Sequence, residues 1–262
     1  LKLYLLMFCC TFLMAAAQPP SNVPVPAEKP RDAQEKAQEN KAPQSETMPE
    51  TQDNPEADVE SNSEPATEEP KKTEPAPTSQ ERAKCEMQLK RNGAVFEPIK
   101  PIRDSAECAI DAPVELRAIN ASIKLDTPAK LSCDAALALT EWVQQSVVPT
   151  LKIAMPDKEL TSLANASGYV CRNRNHSANG KISEHAKGNA FDIASFSFGD
   201  GSKMVMKPRA KDGTMEGAFQ RSITAAACLF FTTVLSPGSD ATHQDHLHID
   251  VMKRKNNYRY CM

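Results

Sequence analysis

Ser183-Glu184-His185-Ala186-Lys187-Gly188-Asn189-Ala190-Phe191-Asp192, followed some fifty residues on by His243-Gln244-Asp245-His246-Leu247-His248-Ile249-Asp250, are the stretches that decide how this 262-residue chain reads. All five histidines lie between positions 176 and 248, and four of them fall within these two stretches, beside a carboxylate and a turn-forming glycine. Two imidazoles and one carboxylate, from His185, His248 and Asp192, make the donor set of a catalytic zinc site, which takes three protein ligands and leaves a fourth position open. Gly188, between His185 and Asp192, lets the chain turn back so that both can face one ion.

The period of the flanking residues places these ligands on strands. Residues 190–196 alternate in a way that predicts a strand with Asp192, Ala194 and Phe196 on one face. In His246-Leu247-His248-Ile249-Asp250 the same period groups His246, His248 and Asp250, and turns Leu247 and Ile249 to the core.

Ser-x-His-x-x-Gly-x-Ala-x-Asp with a later His-x-His resembles the signature of zinc peptidases that cut D-Ala-containing peptides of bacterial cell walls. These include the D-Ala-D-Ala carboxypeptidases and dipeptidases and the LAS-type murein endopeptidases. Within that group the chain is most similar to extensin-like C-terminal domains, from about Cys85 to Cys261. The shared segments are Gly168-Tyr169-Val170-Cys171-Arg172, residues 183–192, and Val234-Leu235-Ser236-Pro237-Gly238 ahead of the His-rich strand. The resemblance implies an α+β fold with a small antiparallel sheet and packed helices, of the D-Ala-D-Ala peptidase and Hedgehog type.

It also implies two candidates for the general base. The carboxypeptidase branch has a Glu three residues before the last ligand, where Asp245 stands here; the endopeptidase branch has histidines where His246 and His243 stand. Alternation favours His246, which shares the face of His248, with Asp245 as the fallback. An imidazole is a competent base near neutral pH. His243 would orient substrate or assist the transfer. The group places an Arg upstream of the metal motif to hold substrate and the oxyanion, and Arg172 is the closer match of Arg172 and Arg174. A guanidinium suits this work because it stays charged and offers paired donors. Ser183 has no assigned base and reads as a hydrogen-bonding residue, with Glu184, Lys187 and Asn189 at the rim.

Composition indicates where such a site would work. Residues 3–17 form an apolar run behind Lys2 that ends in Ala-Ala-Ala, and 1–17 reads as a secretory signal peptide. The run is too short for the roughly twenty residues of a stable span. Residues 18–80 hold twelve of the chain's 20 prolines, no glycine and no aromatic residue, and so predict a disordered, extended linker. Positions 19–80 carry fourteen acidic and six basic residues; with a whole-chain charge of −3 and Lys2 at the start, residues 81–262 are left at +4. A mildly basic domain suits anionic cell-wall polymers. It lacks the dense basic and aromatic pattern of a nucleic-acid binder, and the run Lys253-Arg254-Lys255 reads as a soluble surface.

Past the leader six cysteines remain, Cys85, Cys108, Cys133, Cys171, Cys228 and Cys261, with no Cys-x-x-Cys pair. In an exported chain an even, widely spaced set predicts disulfides, with fifteen possible pairings. The short loop with Pro98 and Pro101 favours Cys85 with Cys108. Helices are predicted over 133–148, with Trp142 in the core, and over 217–231, ending ahead of the Ser236-Pro237-Gly238 turn. Residues 120–125, 169–171 and the segment around Ile102 predict further extended pieces.

The resulting expectation is a periplasmic zinc metallopeptidase that hydrolyses peptides of peptidoglycan. The competing expectation is a zinc-containing module that binds the wall without cutting it, as Hedgehog domains keep the ligands but serve chiefly as signals. A structural zinc with His243 or His246 as fourth ligand is the third.

Overall fold

The computed structural model describes residues 76–178 and 180–262. The signal peptide expected at 1–17 and nearly all of the linker expected at 18–80 lie outside the described residues. The first helix, α1 (Ser79–Arg91), starts just inside that linker, where Thr78 and Glu81 form a capping box. The Thr78 amide donates to Glu81 Oε2 at 2.8 Å and the Glu81 amide donates to Thr78 Oγ1 at 3.2 Å.

Strands β1 (Val95–Pro98), β2 (Ile102–Arg103), β3 (Ala109–Ile110), β4 (Pro113–Ala118) and β5 (Lys124–Ser132) follow. The strand expected from residue 120 begins only at Lys124, because Asn120 Oδ1 accepts the amides of Ser122 and Ile123, both at 2.9 Å, and shapes a turn. Ser132 then caps α2 (Cys133–Trp142), which runs through a π-helical turn at Val143–Val147 into α3 (Val148–Ala154). Pro149 has no amide hydrogen for an α-helical ladder, and the widened turn just before it accommodates the gap. The helix expected over 133–148 is thus present and continues six residues further.

The remaining elements are β6 (Leu160–Ser167), β7 (Ala190–Phe198), β8 (Lys203–Val205), α4 (Met215–Ala227), β9 (Thr233–Leu235), β10 (Leu247–Asp250) and β11 (Tyr260–Cys261). Helix α4 stops short of residue 231 because Arg259 Nη1 takes the carbonyls of Cys228 and Phe231, at 2.9 and 2.6 Å. No strand forms at 169–171; β6 ends at Ser167.

Nine strands make one sheet in the order β1-β4-β5-β6-β7-β10-β9-β11, with β8 also on β7; β2 and β3 pair separately. A mixed α+β architecture is therefore present, but the sheet is neither small nor wholly antiparallel as expected. The helical crossover α2–α3 returns the chain so that β5 and β6 run parallel, and β11 joins β9 in parallel. Trp142 anchors the core between sheet and helices. Its ring packs on Phe196 and Phe231, Phe196 meets Phe219, and Trp142 Nε1 donates to the Ile223 carbonyl at 3.0 Å.

Strand β7 does not keep a single alternation. Ala164 pairs with Ser195 but Asn165 pairs with Ile193, so one extra β7 residue is accommodated there. Phe191, Ile193 and Phe196 consequently all reach the core, and Phe196 does not share the face of Asp192 as expected.

Three disulfides close the domain: Cys85–Cys133, Cys108–Cys171 and Cys228–Cys261. The expected pairing of Cys85 with Cys108 is wrong. Cys85 is on the buried side of α1, which packs on α2 beside Cys133. Cys108 precedes β3 and meets the segment after β6 instead.

Candidate metal centre

Strands β7 and β10 run antiparallel in a register that sets His248 opposite Asp192, with Leu247 opposite Ile193 and Ile249 opposite Phe191. The apolar members of these pairs lie in the core. The polar pair points the other way, and cross-strand neighbours stand close enough to share one partner. His185 comes from a 3-10 turn, Glu184–Lys187, capped by Ser183, whose hydroxyl accepts the His185 amide at 3.4 Å. Gly188 ends that turn at φ +66°, the left-handed conformation the sequence called for, and the chain enters β7 two residues later.

One donor atom each from His185, Asp192 and His248 lie within 4.8 Å of one another, and all three residues are buried. His185 Nε2 is 3.1 Å from Asp192 Oδ2 and 3.3 Å from His248 Nδ1, and His248 Nδ1 is 2.8 Å from Asp192 Oδ1. The outer edge of each ring is fixed. His185 Nδ1 donates to the Gly168 carbonyl at 2.7 Å, which leaves Nε2 as its donor atom. His248 Nε2 donates to Asp250 Oδ2 at 3.2 Å, which leaves Nδ1. Asp250 is itself held by Thr233 Oγ1 at 2.6 Å and the Met252 amide at 3.0 Å. Such outer partners set the tautomer and aim of metal-binding histidines, so this donor set fits a metal ion.

The charges agree. Burial alone would raise the Asp192 carboxyl, but hydrogen bonds from His185 and His248 outweigh it and hold it far below the usual carboxylate range. Burial opposes charge on His248, yet Asp192 and Asp250 outweigh that and raise it to about 9. Asp250 is lowered in turn, mainly by His248 against its own burial. A concentrated negative charge thus sits among the imidazoles and favours a cation.

The other candidates divide. His243 and His246 join the cluster: their ring centroids are 5.1 Å apart, and His243 is 5.6 Å from His248. His246 precedes β10 rather than lying on it, but its Nε2 still faces Asp192 Oδ1 at 3.9 Å. Asp245 is outside the cluster; its side chain is 89 % exposed and meets His246 Nδ1 at 2.9 Å. Arg172 is half-buried, and its guanidinium reaches the Asn173 carbonyl at 3.4 Å. Its own carbonyl accepts the Ser183 amide at 3.0 Å, which places it across from the turn that carries His185.

Sequence reading missed three supports. Glu184, expected at the rim, is buried and accepts Lys187 Nζ at 2.7 Å and Asn189 Nδ2 at 2.9 Å, tying the turn to the start of β7. Asp250 falls on the face of His248 by alternation, but alternation alone gives it no role. Asp240 had no distinguishing pattern, yet both its oxygens lie 2.7 Å from His243 Nδ1.

Fold and site together define a mixed α+β domain with a His/Asp/His metal-binding group. Residues 83–262, more than half of the chain, match the family described as extensin-like protein C-terminus, and the chain belongs to that family. No curated protein and no solved structure matches it.

Proposed function

We propose that this protein is a zinc-dependent hydrolase of peptide bonds in bacterial peptidoglycan, acting near D-amino acids. The observation that supports it is the buried trio of His185, Asp192 and His248, with each imidazole's second nitrogen fixed and with two further histidines beside it. Three ligands drawn from His nitrogen and carboxylate oxygen match a catalytic rather than a closed structural zinc site. Zinc, when bound there, supplies a Lewis acid for water and for the scissile carbonyl.

The chain's own residues would do the rest. Asp192 and the two ligand imidazoles hold the charge in place. The proton of the attacking water goes to an imidazole of the 243–248 segment, His246 or His243, and returns to the leaving amine. Arg172 would present a guanidinium to a substrate carboxylate or to the oxyanion. Three disulfides fit an oxidising compartment, and among the described residues no helix is long and apolar enough to cross a membrane. The disulfides and the expected signal peptide support export to the periplasm.

The test combines elemental analysis with product mapping. The purified chain should hold about one zinc, His185→Ala and Asp192→Ala should lose it, and muropeptides of defined structure should be cut, with products read by mass spectrometry. Full zinc in both variants would remove the ligand assignment. Wall peptides retained on a column of the protein but never hydrolysed would leave a binding module.

A further inference from the structure

The two histidines that flank the ligand trio have different surroundings. His246 has a carboxylate at each ring nitrogen, Asp245 Oδ1 at 2.9 Å from Nδ1 and Asp192 Oδ1 at 3.9 Å from Nε2. His243 has one at Nδ1, where both oxygens of Asp240 stand at 2.7 Å. Asp240 is itself anchored. Its Oδ1 accepts the Thr242 amide at 2.8 Å, the Thr242 hydroxyl at 2.7 Å and the His243 amide at 3.1 Å, while Gln244 Nε2 donates to its backbone carbonyl. Burial works against its charge, but the hydrogen bonds from Thr242 and His243 prevail and hold the carboxyl at about 2. The Asp240 side chain is 44 % exposed and that of Asp245 is 89 % exposed.

An ionised carboxylate only accepts, so the nitrogen it faces must carry the proton. The Nδ1 of His243 is therefore N–H, and the lone pair is on Nε2, at the ring edge away from Asp240. That ring is buried and lies against those of His246 and His248.

We propose that Asp240 is a positioning residue that holds His243 as the Nδ1–H tautomer with its Nε2 lone pair free beside the metal cluster, and that His243 is thereby a proton acceptor in the reaction. This rests on the hydrolysis proposed above. Water yields a proton to His243 Nε2 as its oxygen bonds to the peptide carbonyl carbon. The same proton passes to nitrogen as the C–N bond breaks, giving acid and amine and returning His243 to its neutral form. Asp240 keeps its charge throughout, as an orienting carboxylate does in a hydrolytic triad.

The full-length, zinc-loaded chain provides the test. Asp240→Ala should keep zinc and KM while kcat falls about 10- to 100-fold, the usual weight of an outer orienting partner. Asp240→Glu should recover part of it. His243→Ala should cost about 100- to 10,000-fold, and adding Asp240→Ala to it should cost nothing more. Nitrogen-15 shifts of the His243 ring should report the Nδ1–H tautomer in the wild type and its loss in Asp240→Ala. An unchanged kcat, an additive double variant or lost zinc in Asp240→Ala overturns the proposal. If the wild type hydrolyses nothing, the peptidase reading fails, and the tautomer decides alone: an Nδ1–H form that survives Asp240→Ala overturns the positioning role.

Discussion

The backbone at Gly188 is left-handed, and a Cβ there would stand 2.4 Å from Ile110 Cδ1 and 2.9 Å from the Ser132 amide nitrogen. The Ile110 methyl could be displaced; a backbone amide that donates to the Gly188 carbonyl at 2.8 Å cannot move without breaking that bond. Left-handed strain for a side chain is about 1–2 kcal/mol, and the clash adds to it. Gly188→Ala should therefore lower unfolding free energy by at least about 1–2 kcal/mol, as read by denaturant titration. Glu184 fixes the same turn from its other side. Glu184→Ala removes the buried acceptor of Asn189 and Lys187 and should cost about 1–3 kcal/mol in the same titration, with weaker metal retention. A neutral result for both variants would mean that the turn is held by something else.

Among elements, the segment after β6 links a covalent bond to the site. Gly168 supplies the carbonyl that orients His185, Tyr169 donates to Asp104 Oδ2 at 2.8 Å, and Cys171 is bonded to Cys108. Burial and the bond to Asp104 push the Tyr169 hydroxyl up to about 12, so this strut stays protonated at physiological pH. Replacing Cys108 and Cys171 by Ser should weaken metal affinity about 10- to 100-fold, as loss of an outer partner does. Replacing Cys228, at the end of α4, and Cys261, on the edge strand β11, should cost about 2–5 kcal/mol of stability with little change in affinity. Chelator competition and thermal melts separate the two; equal affinity losses would refute the strut. Here the sequence was partly legible. His185, Gly188 and Asp192 could be read because a turn glycine and the local alternation fix their placement within a few residues, and His248 because alternation sets it opposite in face to Leu247 and Ile249. The pairing of Cys108 depends on where two loops meet across the fold, which no local period encodes. The extra residue in β7 breaks the alternation that would have sent Phe196 to the site face, and Asp240 acts from a loop whose spacing carries no pattern.

For the molecule as a whole, the site sets how stability and metal binding depend on pH. His248 is raised to about 9 from 6.5 because Asp192 and Asp250 prevail over its burial. A group raised on folding stabilises the native state fully below its unfolded value, and that contribution is lost as pH climbs through the folded one. The metal-free protein should therefore lose stability between about pH 6.5 and pH 9. Asp192 works in the opposite sense, losing its contribution only as pH falls below the ordinary carboxylate range, so the two windows do not overlap. Ligation requires a neutral imidazole, so loading at pH 7 to 8 must expel about one proton from His248 per ion. Zinc affinity should then rise steadily towards about pH 9 and level off there, and the melting temperature of the loaded protein should not follow the decline of the metal-free form. Titration calorimetry in two buffers of different ionisation enthalpy counts the released protons. Release of none at pH 7 would mean that His248 is already neutral and that the carboxylates on either side of it do not govern the site.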